Sequence, residues 1–339
     1  MVELSVIVPT YNRLERLKLV LSSIENQTLP NEYFELIVVS DGSTDGTFEF
    51  LSSWSTPLNF KFVQQENQGV AVTRNTGIEQ ASGEYILFVD DDVVPADNLL
   101  EAHLSTHDAH PNDIIVIGPM LNPEDFELQP WVAWEQAMLY KQYQAMLDKE
   151  WEPTARQFYT GNTSLRRHYL EITGGFDPTF RRAEDIELAY RLANLGLKFV
   201  FNEDAIGSHY AQRSFASWLK IPYQYGRNDV IFCLEKNQPW ILPAMAIEFR
   251  GRHPFIRALA YITLDTEWIA APLISLFQLI GQLCGQLNLK KFSLAAYSVI
   301  FNIRHYQGIS DELGGRDAFF SYIETYRNVT KDTLVVPGN

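Results

Sequence analysis

The first 120 residues alternate apolar runs of strand length with segments of helical spacing, and that alternation leaves few folds open. The runs are "LSVIVP" (4–9), "FELIVVS" (34–40), "NFKFVQ" (59–64), "YILFVD" (85–90) and "DIIVIG" (113–118). Most of them are almost wholly apolar, as strands are when helices cover both faces of their sheet. Between them, segments such as "LERLKLVLSSIENQ" (14–27) repeat apolar residues at three and four, the period of an amphipathic helix. Such alternation predicts an α/β fold with a doubly wound, mostly parallel sheet. Ligands of these sheets bind beyond the carboxyl ends of the strands. Polar residues gather there: Pro9, Thr10, Tyr11 and Asn12 after the first strand, Asp41, Gly42 and Ser43 after the second, and Asp90, Asp91 and Asp92 after the fourth.

The three consecutive aspartates need an explanation. Like charges this close repel, and burying any of them is costly unless something pairs with it. A helix cap, with Pro95 near the start of the next helix, would account for one. A divalent cation accounts for more, because Mg²⁺ and Mn²⁺ are held by one or two carboxylates together with substrate phosphates. The D-x-D spacing predicts two carboxylates on one side of a short extended segment. A second acidic pair, Glu184 and Asp185 in "RRAEDIELAYR", opens a helical pattern over 183–196. Acids there favour the positive end of the helix dipole. Glu187 and Arg191 read as an ordinary surface pair at i,i+4.

Charge excludes one class of partner. Lys and Arg number 27 against 42 Asp and Glu, a formal net charge of −15, so DNA or RNA is not the expected ligand. A nucleotide remains open, since a few local donors or a metal can hold a diphosphate. Two cysteines, Cys233 and Cys284, lie in no metal-binding spacing, and a reducing, cytoplasmic setting follows. "MVELSVIVPTYNR" has no basic leader region and reads as a first core strand.

Residues 121–160 are rich in Trp, Tyr, Phe and Met and predict an inserted helix with flanking loops. A strand, "KFVF" (198–201), precedes "GSHYAQRS", and the chain beyond 214 reads as mostly helical. Its most apolar part, "WIAAPLISLFQLIGQL" (268–283), contains two glutamines and falls short of the ~20 residues of a spanning helix. A buried helix is the expectation. The alternative is peripheral membrane contact through 255–292, because "LNLKKF" adds two lysines just beyond.

"LSVIVPTYNR", "ELIVVSDGSTDGT" and "ENQGVAVTRNTGIEQASGEYILFVDDDVVP", in that order, resemble the N-terminal half of family 2 glycosyltransferases. "GNTSLRRHYLEITGGFDPTFRRAEDIELAYRLANLGLKFVF" (161–201) resembles the acceptor-side half. The resemblance covers roughly residues 3–215. It implies a GT-A catalytic domain over 1–215, with a nucleotide-sugar half (1–120) and an acceptor half (121–215). A helical extension (216–325) and a loose tail (326–339) would follow. The implied activity is metal-dependent, inverting transfer of a sugar from a UDP-, GDP- or dTDP-sugar to a hydroxyl of a glycan or lipid-linked acceptor. The implied cofactor is Mn²⁺ or Mg²⁺, and the implied setting is cell-surface polysaccharide, glycolipid or glycan synthesis.

Site residues carry over position by position. Asp41 matches the carboxylate that accepts from the base N–H, although an Asx-turn before Gly42 would suit it too. Pro9, Tyr11 and Asn12 match the loop lining the nucleoside, and Arg74 matches an arginine facing the nucleotide. Asp92 and Asp90 match the fixed positions of D-x-D, the first as direct metal ligand, the second toward ribose or metal shell. Asp91 holds the variable middle position, near the ribose. Asp185 matches the base that deprotonates the acceptor, with Glu184 orienting it; the inverse assignment stays open. Asn162 is expected near the donor sugar or diphosphate. His209 stands where some GT-A enzymes supply a third metal ligand, and a lone histidine is otherwise structural. Trp131, Trp134 and Trp151 are candidates for sugar stacking or for core. A retaining transferase on the same fold, or a module that only binds a glycan or partner, are the competing readings.

Overall fold

The computed structural model describes residues 2–330, 333 and 334; half of the expected tail (326–339) lies outside them. The first part of the chain runs β1 (Leu4–Thr10), α1 (Leu14–Glu25), β2 (Phe34–Asp41), α2 (Thr47–Ser53), β3 (Asn59–Gln65), α3 (Val70–Gln80), β4 (Tyr85–Val89), β5 (Val93–Pro95), α4 (Leu99–Ala109) and β6 (Ile114–Ile117). Then come β7 (Met120–Leu121), α5 (Pro130–Leu147), β8 (Asn162–Arg166), α6 (Arg167–Thr173), α7 (Glu184–Asn194), β9 (Lys198–Phe201) and β10 (Gly207–His209). Helices α8 (Phe215–Glu235), α9 (Ile241–Gly251), α10 (Pro254–Thr263), α11 (Glu267–Gln286), α12 (Lys290–Leu313) and α13 (Arg316–Thr325) complete it.

The chain divides into two compact units. One takes in the chain up to Phe126 and Tyr140–Ala211; the other takes in Glu127–Leu139 and the chain from Gln212 onward.

In the first unit a seven-stranded sheet has the order β3-β2-β1-β4-β8-β6-β9. It is the expected α/β architecture, mostly parallel, with β8 antiparallel to both of its neighbours. Strand β8 was not foreseen. Its "NTSLR" lacks an apolar run, yet Asn162, Thr163 and Ser164 are all buried. Their polar atoms are satisfied instead: His103 Nε2 meets Asn162 Oδ1 at 2.9 Å, and Ser164 Oγ lies 2.8 Å from both His103 Nδ1 and His107 Nε2. Asn162 Nδ2 donates to the carbonyls of Pro119 and Ala205, so its Oδ1 must accept from His103. His103 Nδ1 then accepts from Ser164, whose oxygen accepts from His107 Nε2. The chain of donors runs one way only, with both imidazoles neutral.

Burial holds His103 down to about 4 and His107 to about 3. Both folded-state values lie below the ordinary 6.5, so the unfolded chain binds the proton first. Their stabilisation is complete above pH 6.5 and drains as pH falls toward 4. Between pH 7.5 and 5.0 the wild type should lose about 2 kcal/mol more urea stability than His103→Asn. Equal losses in the two proteins would show that His103 is not held neutral.

The second sheet is small, β5-β10-β7. Strand β10 runs antiparallel to β5 with His209 opposite Val93, and Tyr210 N donates to Asp92 O at 2.8 Å. This pairing brings His209 beside the aspartates.

The second unit is helical. Helices α8 and α12 approach through glycine: a Cβ on Gly308 would lie 2.0 Å from Tyr223 O, and one on Gly226 2.1 Å from His305 O. Trp131 and Trp134 are core here, not sugar platforms. Both are buried; the Trp134 ring lies 4.8 Å from Phe301, and its Nε1 donates to Ser298 Oγ at 3.1 Å.

The apolar segment in α11 is not buried as expected. Only Ala270, Ile274 and Gly281 are enclosed, while Trp268 is 78 % exposed and Leu276, Leu279 and Leu283 are exposed as well. A narrow stripe of mostly small side chains is enough to seat the helix on a neighbour, and the remaining apolar positions are left outside.

Candidate active site

The aspartates occupy a tight turn, not an extended segment: Val93 N donates to Asp90 O at 3.0 Å. Neither end of the run caps a helix, since β5 follows and α4 begins only after Asn98. The turn separates Asp90 from the other two: Asp90 goes to one arginine, while Asp91 and Asp92 share another. Asp90 Oδ1 accepts from Arg74 Nη2 at 2.9 Å. Asp91 accepts from Thr10 Oγ1 at 2.8 Å and from Arg13 Nη1 at 2.9 Å. Asp92 accepts from the same Arg13 nitrogen at 2.7 Å, and its other oxygen lies 3.7 Å from His209 Nε2.

Burial raises the Asp91 carboxyl to about 6, with Asp92 adding to the effect and Arg13 and Thr10 opposing it. Burial works against the Arg13 charge, but Asp92 and Asp91 outweigh it and hold the guanidinium's pKa above the ordinary value. Arg13, just before α1, is thus the counter-ion of two aspartates.

Arg74 joins the two acidic motifs. The side chain is buried, and its Nη1 donates to Glu184 Oε1 at 2.7 Å while Nη2 holds Asp90. Glu184 is 110 residues away in sequence. Burial alone would strip the charge from Arg74, but Asp90 and Glu184 raise its pKa. The Phe176 ring lies 5.5 Å from the guanidinium carbon, and Asn75 fixes that ring's backbone by exchanging two 2.8 Å bonds with Phe176.

Helix α7 presents Glu184 and Asp185 from its first turn, just after Ala183 at φ +61°. A non-glycine residue in the left-handed region stores strain, of the kind that gathers at functional sites. Asp185 accepts from Ile186 N at 2.8 Å. Its pKa is raised, first by burial and then by the neighbouring Glu184, with Arg74 opposing. Glu187 and Arg191 are not a surface pair. Glu187 is buried, and Arg191 also donates to the carbonyls of Thr173 and Gly175 at 2.6 and 2.8 Å, fastening the "TGGFD" turn to α7.

The nucleoside-side residues sit on two loops tied together. Asn12, at φ +53°, accepts from Thr44 N at 2.7 Å and donates its own N–H to Ser43 Oγ. Pro9 is buried next to the last residue of β1, and Tyr11, just beyond the carboxyl end of that strand, is exposed. Asp41 is buried and committed to its own loop: Oδ1 accepts from Gln68 N and Gln65 Nε2, and Oδ2 from Gly69 N. One Oδ2 lone pair remains for a ligand donor. Asn162, expected beside the donor, is fully buried with every side-chain polar atom engaged. It braces the site from beneath and has no group to offer a ligand. Thr10 belongs to the expected carboxyl-edge cluster, Arg13 flanks it, and Gln65 joins it with no signal in sequence.

Asp92 and His209 offer an oxygen and an imidazole nitrogen, a donor pair that suits Mn²⁺. Among the described residues no group of three or more His, Cys, Asp or Glu gathers. A cation on this pair would complete its shell from a diphosphate and water, as such ions commonly do.

A mostly parallel sheet with two acidic segments bridged by arginine at its carboxyl edge is a ligand site of the open α/β class. The glycosyl transferase family 2 model matches residues 5–173. Glycosyltransferase AglE of Haloferax volcanii is 31 % identical over 245 residues, covering 72 % of this chain and 76 % of AglE. Validoxylamine A glucosyltransferase of Streptomyces hygroscopicus subsp. jinggangensis is 32 % identical over 230 residues, covering 60 % of this chain and 54 % of that protein. In structure, residues 1–349 of S. aureus TarS align at TM-score 0.57 and 21 % identity, over 96 % of this chain and 91 % of that one. The mannosyltransferase PcManGT from Pyrobaculum calidifontis, in complex with GDP-Man and Mn²⁺, aligns at TM-score 0.56 and 22 % identity, over 88 % and 86 %. The chain belongs to glycosyl transferase family 2 and is a glycosyltransferase.

Proposed function

We propose that the protein inverts the donor's anomeric centre as it moves the sugar to a hydroxyl of a glycan or lipid-linked acceptor, in the cytoplasm, for cell-surface glycan synthesis. The observation that carries the reading is buried Arg74, bonded at once to Asp90 and Glu184. Through it the aspartate turn and the first turn of α7 face a single site. Glu184 is bonded to Arg74, while Asp185 has the raised pKa that suits a general base. In the reaction the acceptor oxygen attacks the anomeric carbon and its proton passes to Asp185. The bond to the diphosphate breaks, and the leaving nucleotide keeps the electron pair. No covalent intermediate on the protein is needed.

Asp92 and His209 are the residues that would hold Mn²⁺ or Mg²⁺. When bound, the cation would neutralise charge on the leaving diphosphate. Arg13 holds Asp92 through Oδ2, not through the oxygen beside His209, and its other guanidinium N–H groups would serve the phosphates, where a guanidinium fork is well matched. Asp41 and the Tyr11 loop take the base, and Asp90 or Asp91 the ribose.

A thermal-shift screen of UDP-, GDP- and dTDP-sugars with and without Mn²⁺ tests this. One donor at a hundred times its Kd should add about 2.7 kcal/mol, a rise of about 5 °C or more, only when metal is present. Asp92→Ala should lose the metal-dependent part. A donor that stabilises equally with chelator, or no donor that stabilises at all, would overturn the metal assignment or the donor assignment respectively.

A further inference from the structure

We infer that the exposed face of α11, with its flanks, is a docking surface that lies in the plane of an anionic lipid bilayer. The first observation is chemical uniformity. From Trp268 to Leu289 the sequence has no charged residue, and by length and composition α11 is apolar enough to enter a membrane. The exposed side chains include Trp268, Leu276, Leu279, Leu283, Leu287 and Phe292, the last two at 69 % and 65 %. On α10, Phe255 is also exposed, and its ring lies 6.3 Å from Phe277 of α11, so the apolar surface continues across both helices. Contiguous exposed apolar surface of this kind marks an interaction site.

The second observation fixes the orientation. A helix that crosses a bilayer meets lipid or another membrane helix on every side. Helix α11 instead has one face committed to α12: Ser293 Oγ donates to Gly281 O at 2.8 Å, and a Cβ on Gly281 would lie 2.6 Å from the Tyr297 ring. Its partner α12 is in turn packed on α8 through Gly308 and Gly226. One side is therefore held by the helical unit and the other is apolar and open, the arrangement of an interfacial helix. At ~1.5 Å per residue its 20 residues give an apolar footprint about 30 Å long.

The third observation selects the lipid. The chain as a whole carries −15 and would be repelled by an anionic surface. The end of this face at the α11–α12 turn is basic: Lys290 and Lys291 are exposed where α12 begins, beside Leu289 and Phe292, while the exposed acids Asp265 and Glu267 lie at the opposite end, before Trp268. Long basic side chains at the edge of an apolar face reach lipid phosphates while their stems stay among the acyl chains.

The test is co-sedimentation of the full chain with phosphatidylcholine vesicles, with and without phosphatidylglycerol. Binding should require phosphatidylglycerol and weaken as salt rises. Lys290→Gln with Lys291→Gln should weaken it about 25-fold, at about fivefold for each basic residue. Leu279→Glu with Leu283→Glu should abolish it, and Trp268→Phe should remove most of the fluorescence blue shift that vesicles induce. All these positions are exposed, so melting temperature and donor-dependent stabilisation should stay unchanged. That separates failure here from failure of the sugar-transfer reading. No binding to phosphatidylglycerol vesicles, or binding that survives Leu279→Glu with Leu283→Glu, overturns the inference. So does a concentration-dependent dimer in sedimentation velocity that the same pair dissolves, since the face would then belong to a second copy.

Discussion

Asp185→Asn should lower kcat by 10²–10⁴-fold, the range that a positioned general base supplies, while leaving KM for the donor and the melting temperature nearly unchanged. The substitution keeps shape and removes only the proton acceptor. Asp185 is the choice over Glu184 because Glu184 Oε1 is bonded to Arg74 Nη1 at 2.7 Å, and a paired carboxylate is a poor base. Burial and the charge of Glu184 push Asp185 the other way. The wild-type rate should therefore fall with acid at a pH above the ordinary carboxylate range, because the base must be ionised to act. That acid limb should disappear from the residual rate of Asp185→Asn. If Asp185→Asn kept more than a tenth of the wild-type kcat while Glu184→Gln did not, the two roles would be exchanged.

Arg74→Met should be the most damaging single change to the stability of this site. It leaves Asp90 and Glu184 without the cation between them, and breaking a buried pair from one side costs about 3–5 kcal/mol. For a domain of this size that lowers the melting temperature by about 10 °C, which calorimetry would read directly. The remaining activity should move to higher pH as well, because Arg74 is the group that holds the Asp185 pKa down. Arg74→Lys should recover only part of both losses. A single ammonium cannot copy the fork that reaches Asp90 Oδ1 and Glu184 Oε1 from two nitrogens. A melting temperature within 2 °C of wild type for Arg74→Met would mean that the two acids repel less than their spacing implies, and would remove Arg74 as the link between motifs.

Much of this protein can be read from its sequence because local rules act on it directly. Apolar runs of four to seven residues separated by helical spacing must make a sheet covered on both faces, and the polar residues after those runs must lie at its carboxyl edge. That reasoning reached β1, β2, β3, β4 and β6, the inserted helix and the α7 pattern. It missed β8, whose Asn162, Thr163 and Ser164 look like a loop until His103 and His107 are placed against them. It also misjudged α11, because an apolar sequence says nothing about which faces find partners.

Residue types in the site were equally legible, and their contacts were not. Three adjacent aspartates suggest one shared cation, yet the turn at Asp90–Val93 sends Asp90 to Arg74 and leaves Asp91 and Asp92 to share Arg13. Nothing in "VPTYNR" says that Arg13 will bond Asp91 and Asp92, and nothing in "VTRNTG" says that Arg74 will meet Glu184. Sequence by itself determined the layered α/β class and the carboxyl-edge location, because hydrophobic period and strand direction are local properties. Only the tertiary structure decided which charge neutralises which, because ion pairing depends on distances between segments that the chain order does not fix.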